Sequence, residues 1–369
     1  MNRSFGFTNY RIFAERQELS LAPITVLFGK NNVGKSALLK LPVMVNNILT
    51  YKGEGELFAK SSDGLRICED YRDVVYGKAS RAVSIEIKAD EATVNLSFIV
   101  DTTGKQRTHI EDLTAVLYDG TRIDSIENLP GSLRFDIEYL KSIRDYPKYG
   151  YFSINSIENE AVTGGLFTYR RLVEDLLNHD GRLLDRVSEW YEKTFDGWKI
   201  EVDASRDPIY SLVLRHGNIT NNVIDGGAGI AQSLPVIVSA ASYTSTHKLY
   251  IYEEPETHLH PEAHGEMAQF IANQAVKSAG LKKFLIESHS INFILRLRTL
   301  VASGKLKPEA LALYYVEFDP VKEQSSLRKV TVNPDGTVEG WPDNVFKETL
   351  EETLALRRAQ LQREEAQRQ

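Results

Sequence analysis

The sequence predicts an α/β fold built on a parallel sheet, with an antiparallel β-layer and an inserted helical region. The first observation is an apolar run at 24–28, followed by a Gly-rich segment and then by a run suited to a helix. The second is a pair of apolar runs, at 249–252 and 284–286, that both end in acidic residues; parallel strands place ligand-binding side chains at their carboxyl ends. The third is the period-two alternation with turn signals across 82–120, which is typical of antiparallel strands.

The composition indicates an ordinary globular protein rather than a membrane or disulfide-rich one. The 369 residues are 42% apolar and 26% charged, and there is no apolar run of about 18 residues, so we expect no membrane span. The amino terminus lacks the apolar stretch of a secretory signal, and the one cysteine, Cys68, excludes an internal disulfide. These features favour a cytoplasmic protein. The net charge of −7 does not favour non-specific binding to DNA.

Changes of pattern along the chain predict four regions. An N-terminal lobe of the core, with the Gly-rich segment and the β-layer, is predicted at 1–130. A helical insertion is predicted at 131–205, because Leu and Val recur at helical spacing from 172 to 187. A C-terminal lobe is predicted at 206–345. The tail, 346–369, is rich in Glu, Arg and Gln, and we expect an exposed helix that frays at its end.

The Gly-rich segment has the spacing of a phosphate-binding loop, G-x4-G-K-S. Its glycines let successive backbone N–H groups point at phosphate oxygens, and the amino terminus of the next helix adds to that positive field. Lys35 can reach the terminal phosphates, and the Ser36 hydroxyl can bind Mg2+. A chance match in a Gly-rich turn is the alternative, but the flanking strand and helix argue against it. Pro42 predicts a kink or an early end of that helix. The predicted phosphate contacts are Gly29, Lys30, Asn31, Asn32, Val33, Gly34, Lys35, Ser36 and Ala37.

The apolar run at 249–252 ends in two consecutive acids, Glu253 and Glu254, and Pro255 follows them. Glu253, at the end of the strand, is predicted to hold the hydration shell of Mg2+. Glu254 is predicted to orient and polarise the water that attacks the phosphate. The alternative is a pair of solvated glutamates. The buried strand before them and the proline after them favour the catalytic interpretation.

Four histidines lie close to these acids in sequence or in the predicted sheet. His258, His260 and His264 fall within seven residues, so a zinc site has to be considered. There is no cysteine nearby, and Pro261 separates His260 from His264, so we favour a loop that contacts a neighbouring protomer. His289 follows an apolar run, at the sheet edge where α/β proteins bind ligands. It is predicted to hydrogen-bond a γ-phosphate or the attacking water; the alternative is a structural histidine.

Together these motifs resemble the ABC-type ATPases of the SMC/RecF/OLD group, and in particular the compact AAA-named bacterial ATPases with a Glu-Glu-Pro-Glu-x-His-Leu-His-Pro box. The resemblance is strong at 5–45 and 220–345 and weak at 130–200. It implies an ABC-type P-loop ATPase head with an antiparallel β-subdomain and an inserted helical subdomain. Two features depart from the family: no clear signature serine is present, and no glutamine marks the Q-loop, for which Asp73 is a candidate replacement.

The resemblance assigns a role to each predicted site residue. Residues 29–37 correspond to Walker A and contact ATP. Glu254, in the Walker B segment, and His289, at the switch position, are the catalytic residues. Ser36 and Glu253 hold the Mg2+ ion. The implied cofactors are therefore ATP and Mg2+.

The resemblance also implies a homodimer in which two ATP molecules lie between two heads. Residues 255–260 resemble the D-loop, and 225–232 resemble a degenerate form of the signature motif. Gly227 and Gly229 lie in that segment, where a Gly-rich helix start can offer N–H groups to a γ-phosphate. We expect Gly229 to lie near the nucleotide of the opposite chain, in a two-fold arrangement.

Two segments found in related ATPases are not expected here, and their absence limits the kinds of partner that we expect. The span between Walker A and the signature segment holds no sustained heptads, so no long coiled-coil arm is expected. Too few residues follow His289 for the nuclease domain of OLD proteins. The resemblance therefore implies a separate effector protein, a nuclease or a toxin, in bacterial anti-phage defence or DNA repair. Direct binding of nucleic acid and assembly beyond a dimer are left open, and no membrane partner is expected.

The favoured function is a Mg2+-dependent ATPase whose ATP-driven dimerisation senses or handles nucleic acid or restrains an effector. Two other functions are alternatives to it. One is the nucleotide-binding subunit of a transporter, but such subunits carry a full Leu-Ser-Gly-Gly-Gln and a clear Q-loop glutamine. The other is an ATP-bound scaffold or sensor that hydrolyses slowly and acts through partner binding. Measuring turnover with and without DNA or a partner distinguishes these functions.

Overall fold

The structure, a computed structural model, describes residues 3–50, 65–68, 70–79, 81–90, 92–100, 108–152, 162–342, 345–347, 354–358 and 360. The helices in this part of the chain are α1 (Lys35–Thr50), α2 (Leu166–Asn178), α3 (Arg182–Thr194), α4 (Ala228–Ala241), α5 (Pro261–Lys277) and α6 (Ile291–Ala302). The strands are β1 (Arg3–Thr8), β2 (Gln17–Leu21), β3 (Ile24–Phe28), β4 (Val83–Ala89), β5 (Ala92–Val100), β6 (Thr108–Leu117), β7 (Arg122–Ile123), β8 (Asp136–Leu140), β9 (Tyr151–Phe152), β10 (Lys199–Arg206), β11 (Ile209–His216), β12 (Ile219–Asn222), β13 (Lys248–Glu253), β14 (Lys282–Glu287), β15 (Leu311–Asp319), β16 (Gln324–Val332) and β17 (Val338–Glu339).

A seven-stranded sheet forms the centre of the molecule, in the order β17-β16-β15-β3-β14-β13-β8. The five strands from β15 to β8 run parallel, while β16 and β17 extend the sheet as antiparallel strands. The central strands are buried on both faces and therefore consist of continuous apolar runs rather than alternating ones. The carboxyl ends of β3, β14 and β13 lie side by side, which brings the predicted site residues to one edge.

Two hydrophobic cores flank this sheet because successive side chains of a strand point to opposite faces. On one face, Leu27, Ile251 and Leu285 pack with α1 and with the antiparallel β-layer. On the other face, Val26 and Tyr252 pack with helices α2 to α6. Helix α1 contacts β13 and β14, so the helix that follows the Gly-rich loop lies across the strands that end in acids.

The β-layer is a second, six-stranded antiparallel sheet with the order β2-β1-β4-β5-β6-β7. Its burial alternates along β4 from Val83 to Ala89, as the period-two pattern predicts for strands with one buried face. A third sheet, β10-β11-β12 with β9 paired to β11, lies next to α3, which contacts β10. The mixed α/β architecture expected from the sequence is thus confirmed.

The structure differs from the sequence-based expectations at two places. The range predicted to turn helical after residue 131 contains β8, whose backbone pairs in parallel with β13 at one side of the central sheet. Of the two outcomes expected at Pro42, a kink or an early end, the early end does not occur, because α1 continues through the proline to Thr50. In the tail, residues 354–358 are helical and exposed, while Leu350 and Leu361 of the expected helix lie outside the described residues. Each described helix is too short or too polar to serve as a membrane span.

Candidate nucleotide-binding site

The Gly-rich loop connects β3 to α1, and two of its positions admit only glycine. Gly29 has φ +148°, and a Cβ atom there would lie 2.2 Å from the carbonyl oxygen of Val316. Gly34 has φ +97°, and a Cβ atom would lie 2.7 Å from Cγ2 of Ile12. At both positions the positive φ and the close approach of a neighbouring residue therefore require glycine.

The remaining loop residues divide between the solvent and the core. Val33 is buried and anchors the middle of the loop in the core. The Ala37 carbonyl accepts a 2.8 Å hydrogen bond from the Tyr10 hydroxyl, which fixes the first turn of α1. The exposed side chains at the mouth of the loop are those of Lys30, Asn31, Asn32 and Ser36.

Lys35 is the buried cation of the loop, and its side chain is only 3% exposed. Its Nζ donates to the carbonyl oxygens of Gly29 at 3.1 Å and Lys30 at 2.6 Å. Nζ also lies 3.5 Å from Oε1 of Glu287. Burial lowers the pKa of Lys35, and the charge of Glu287 opposes that shift. The ammonium group is therefore held inside the loop by backbone carbonyls and by one carboxylate.

Glu287, the last residue of β14, is an acid in direct contact with the loop. Its Oε2 accepts a 2.9 Å hydrogen bond from the Ser36 hydroxyl, and its Oε1 lies 3.8 Å from Nε2 of His289. Burial raises the pKa of this carboxyl, but the nearby imidazole of His289, the charge of Lys35 and the hydrogen bond from Ser36 outweigh it, so the pKa is lowered. Glu287 is thus an ionised carboxylate that bridges the loop and the predicted switch histidine.

Glu253 lies next to Glu287 across the β13–β14 pair, but its contacts are different. The Tyr139 hydroxyl donates to its Oε1, and the Ser142 N–H donates to its Oε2 at 3.1 Å. The sequence predicted that Ser36 and Glu253 act together, whereas in the structure Ser36 donates to Glu287. The reason is the strand order, because β14 lies between β3 and β13.

Glu254 follows β13 with φ +42°, a backbone conformation that is uncommon outside glycine. Its N–H donates to the Glu287 carbonyl at 2.8 Å, and the Thr257 hydroxyl donates to its Oε2 at 2.9 Å. Its Oε1 lies 3.9 Å from Nε2 of His289. One ligand atom from each of Glu254, Glu287 and His289 falls within 4.8 Å of the others. Both predicted catalytic residues therefore lie at the carboxyl edge of β14, beside the loop.

The segment after Glu254 fixes the backbone of His289. Glu256 is buried, and its Oε1 accepts hydrogen bonds from the Ser288 hydroxyl at 2.6 Å and from the His289 N–H at 3.0 Å. Burial raises the pKa of Glu256. The buried carboxylate of Glu256 and the buried hydroxyl of Ser288 thus link the predicted D-loop to the predicted switch segment.

The other three histidines do not share one site in the structure. His264 hydrogen-bonds the Ser290 hydroxyl at 2.8 Å through Nδ1 and the Leu259 carbonyl at 3.0 Å through Nε2. His260 is the N-cap of α5. His258 is exposed to solvent and has φ +69°. Within the residues that the structure describes, the candidate ligand cluster is the one formed by Glu254, Glu287 and His289.

The predicted signature segment leads into α4. Gly227 is the N-cap of this helix, no side chain caps it, and a Cβ atom at Gly227 would meet nothing within 4 Å. Gly229, in the first turn, lies against the predicted D-loop of its own chain, because a Cβ atom there would be 2.8 Å from the His258 carbonyl oxygen. The start of α4 is therefore an open surface beside the segment that follows Glu254.

Arg144 is a site residue that the sequence analysis missed. It is only 2% exposed, and its guanidinium donates to the carbonyl oxygens of Gln232 at 3.1 Å, Glu253 at 2.7 Å and Glu254 at 3.2 Å. Its backbone exchanges two further hydrogen bonds with the Gln232 side chain. Burial lowers the pKa of Arg144 to about 10, opposed by Glu256 and Glu253. Arg144 thus joins α4 to the residues that end β13.

For the Q-loop position the sequence suggested Asp73, but the segment that adjoins Glu253 in the structure is the one that follows β8 and contains Ser142 and Arg144. Asp73, the candidate for the Q-loop position, instead pairs with Lys78 at 2.7 Å in a short 3-10 region. That region bridges to Tyr10 in the β-layer side of the molecule. No motif signals the loop after β8, and its importance emerges only from the pairing of β8 with β13.

No family model and no curated protein matches this chain. Solved structures do match it. An SMC head bound to the C-winged helix domain of ScpA has a TM-score of 0.54 at 10% identity and covers 89% of this chain and 98% of that one. An SMC head domain with an extended coiled coil, bound to the C-terminal domain of ScpA and derived from Pyrococcus furiosus, has a TM-score of 0.52 at 11% identity, with 90% and 97% covered. The SMC head domain from Thermotoga maritima has a TM-score of 0.48 at 10% identity, with 89% and 98% covered.

Proposed function

This chain has the fold of an SMC head domain, and from that premise we propose that it is a Mg2+-dependent ATPase of the ABC type. The observation that carries the proposal is the arrangement at the carboxyl edge of the central sheet. A loop with the G-x4-G-K-S spacing begins α1, and the carboxylate of Glu254 and the imidazole of His289 lie beside it. Function is inferred from this site and not from the fold, because one fold serves many activities.

The residues of the loop bind the triphosphate in this proposal. Backbone N–H groups from Gly29 to Ala37 surround the phosphates, and the amino terminus of α1 adds a positive field. Lys35 exchanges its bonds to the Gly29 and Lys30 carbonyls for bonds to the terminal phosphates. The exposed side chains of Asn31 and Asn32 remain at the mouth of the loop, where the nucleotide enters.

The donor set beside the loop fits Mg2+, which prefers oxygen ligands. The Ser36 hydroxyl and a carboxylate oxygen of Glu287 lie 2.9 Å apart. Glu253, the carboxylate predicted from the sequence motif, is the register partner of Glu287 and lies on the same face of the sheet. When bound, the ion neutralises charge on the phosphate oxygens.

Hydrolysis is assigned to Glu254 and His289. Glu254 accepts a hydrogen bond from the attacking water and polarises it, while Thr257 holds the carboxylate in place. His289, whose backbone N–H is fixed by Glu256, hydrogen-bonds the γ-phosphate or the same water. Both side chains are partly exposed, so a substrate can reach them.

We further propose that ATP joins two copies of the chain. Each nucleotide would lie between the phosphate loop of one copy and the start of α4, with Gly227 and Gly229, in the other. The open, uncapped amino terminus of α4 suits a γ-phosphate because helix starts attract anions. ADP lacks the charge that this contact requires, so hydrolysis would release the dimer.

In the cell we propose a role in a nucleic-acid-related process, as the cytoplasmic ATPase or sensor subunit of a bacterial anti-phage defence or DNA-repair system. The effector would be a separate nuclease or toxin. Two of the similar SMC heads are described as bound to a domain of ScpA, and a protein partner is consistent with that precedent. An ATP-bound scaffold with little turnover is the main alternative, and the nucleotide-binding subunit of a transporter is the other.

Phosphate release from ATP in the presence of Mg2+ tests the ATPase directly. We expect the wild-type chain to release phosphate and the Glu254→Gln variant to be slower by about 100-fold or more. Duplex DNA, and any protein that co-purifies from the native host, should be added in parallel assays. Equal rates for wild type and variant in every condition would reject hydrolysis at this site and favour the scaffold.

A further inference from the structure

We propose that Glu287, at the end of β14, is the carboxylate that holds the Mg2+ of bound ATP together with Ser36, and that Glu253 has a structural role. This inference rests on the proposed function, because it concerns the ion that accompanies the nucleotide. It reverses the assignment that the Glu253-Glu254 motif suggests. The chemical class of the ligand is a divalent cation with hard oxygen preferences.

The contacts of Glu287 place its carboxylate between the two groups that a metal–nucleotide complex has to touch. One oxygen, Oε2, accepts from the Ser36 hydroxyl at 2.9 Å, and this hydroxyl is the loop's own metal ligand in the proposal. The other oxygen, Oε1, lies 3.5 Å from Nζ of Lys35, the phosphate-binding cation. An ion between these two oxygens would take the place of their hydrogen bond, with Ser36 keeping its proton and turning it elsewhere, and would thus already have two oxygen ligands from the protein.

The strand order explains why Glu287 lies nearer than Glu253 to Ser36 in the loop. Strand β14 pairs directly with β3, which leads into the loop, whereas β13 is one strand further away. Neighbouring strands are roughly 4.8 Å apart, so a side chain at the end of β13 has about that much more distance to cover. Glu253 and Glu287 are at the same level along their strands, and length along the strand does not compensate.

The oxygens of Glu253 are, in addition, already committed to other donors. The buried Tyr139 hydroxyl donates to one oxygen, and the Ser142 N–H donates to the other at 3.1 Å. Moving Glu253 toward Ser36 would leave the Tyr139 hydroxyl without its partner inside the core. These bonds instead fix the loop after β8, from which Arg144 reaches the carbonyls of Glu253 and Glu254.

The competing interpretation is that Glu287 only orients Lys35 and His289. The two interpretations differ in how the affinity for nucleotide depends on the metal. If Glu287 serves the ion, its loss weakens nucleotide binding only when Mg2+ is present. If it serves Lys35, its loss changes binding equally with and without Mg2+.

The experiment measures the dissociation constant of a fluorescent, non-hydrolysable ATP analogue in Mg2+ buffer and in EDTA. The dissociation constant in EDTA divided by that in Mg2+ buffer gives the factor by which Mg2+ strengthens nucleotide binding, and we call this ratio the Mg2+ effect. We expect Glu287→Gln to reduce this ratio by about 10- to 100-fold, the range found when a carboxylate that supports a metal site is removed. Glu253→Gln should keep the wild-type ratio, and Ser36→Ala should lose it as Glu287→Gln does.

Glu287→Asp provides a second variant if the glutamine protein does not fold, because it keeps the charge and shortens the side chain; its ratio should fall between those of wild type and Ser36→Ala. Thermal melting of each variant checks the fold. An unchanged ratio in Glu287→Gln, with both constants weakened alike, would overturn the inference. A Mg2+ effect that is lost in Glu253→Gln but kept in Glu287→Gln would also overturn it. A wild-type chain that binds the analogue in neither buffer would reject the proposed function itself, and this inference with it.

Discussion

At the scale of single residues, the conformation of Glu254 is the observation that best supports its proposed catalytic role. Its positive φ is uncommon for a residue with a side chain, and such conformations persist where the surroundings hold them. Here Glu287 accepts from its N–H, Thr257 donates to its carboxylate, and Arg144 donates to its carbonyl. The carboxylate is therefore oriented before any substrate arrives.

Glu254→Gln should retain nucleotide binding and lose hydrolysis by about 100-fold or more, because the amide cannot accept a proton from water. Calorimetric titration with ATP gives the binding, and phosphate release gives the turnover. The matched control is Glu309→Gln, which alters an exposed glutamate outside the site and should behave as wild type in both assays. Unchanged turnover in Glu254→Gln would move the catalytic role to another residue, with His289 the first to test.

The site was predictable where one short segment carries its own signal, and not where distant segments meet. The loop from Gly29 to Ser36 combines a motif with its flanking strand and helix, so its position follows from the sequence. Arg144 lies in an irregular segment, and its partner Gln232 is 88 residues away. Glu287 could have been found by the argument applied to Glu253, since both end apolar strands. The choice between them requires the strand order.

At the scale of elements, Arg144 connects the loop after β8 to α4 and to the end of β13. Arg144→Met removes the donors of three carbonyl groups in a buried place. We expect the free energy of unfolding to fall by about 2 to 4 kcal/mol, because buried polar groups without partners are destabilising. Urea unfolding measures it, with Arg134→Met, at an exposed position, as the control. A loss of less than about 0.5 kcal/mol would show that these bonds contribute little.

Lys282 of β14 connects to the other end of α4 and gives the protein a pH-dependent stability. Its Nζ donates to the Ala240 carbonyl at 2.6 Å and the Ser242 carbonyl at 2.7 Å, and burial lowers its pKa to about 8. An unfolded lysine has a pKa near 10.4. Between these values the unfolded chain binds more protons, so the free energy of unfolding contributed by Lys282 rises with pH.

Lys282→Met should remove this contribution. Between pH 8 and 10, the slope of the unfolding free energy against pH should be lower in the variant than in wild type by up to about 1.4 kcal/mol per pH unit, the value for one proton. Urea titrations at several pH values measure both slopes. Lys305→Met, at an exposed lysine after α6, should leave the slope as it is in wild type. Equal slopes in wild type and Lys282→Met would contradict the assigned pKa shift.

Elements with a strong periodic or apolar pattern were predicted from the sequence, and those that depend on their neighbours were not. The apolar run at 24–28 became β3, and the alternating run from Val83 became β4. Strand β8 was missed because Asp136 and Glu138 interrupt its apolar pattern. It is a strand because β13 pairs with it, and Glu138 is stabilised there by Arg171 and Lys248.

At the scale of the whole molecule, the central sheet separates two cores and leaves its carboxyl edge free for the loop, the acids and the start of α4. The proposed dimer uses this edge. With ATP and Mg2+, Glu254→Gln should double in mass from the 41.7 kDa of one chain, because the nucleotide is bound and not consumed. Light scattering measures the mass, and ADP should leave the monomer.

The start of α4 offers a sharper test of the same dimer. Gly227 has an ordinary negative φ and open space around it, so a side chain there should not disturb the fold. Added to Glu254→Gln, Gly227→Glu places a negative charge where the γ-phosphate of the opposite nucleotide is proposed and should prevent the doubling. Gly227→Ala in the same background adds no charge and should still dimerise. A dimer that forms equally with both substitutions would reject the α4 contact.

The proposed hydrolysis, metal binding and dimerisation all require that the loop from Gly29 to Ser36 binds the triphosphate of ATP. Isothermal titration of ATP and Mg2+ into the wild-type chain and into Lys35→Ala tests it most directly, with Lys277→Ala as a control at an exposed lysine. We expect one site per chain in wild type and in Lys277→Ala, and no measurable binding in Lys35→Ala, because the terminal phosphates lose the cation that reaches them. ATP binding that is undiminished in a folded Lys35→Ala chain would contradict the account.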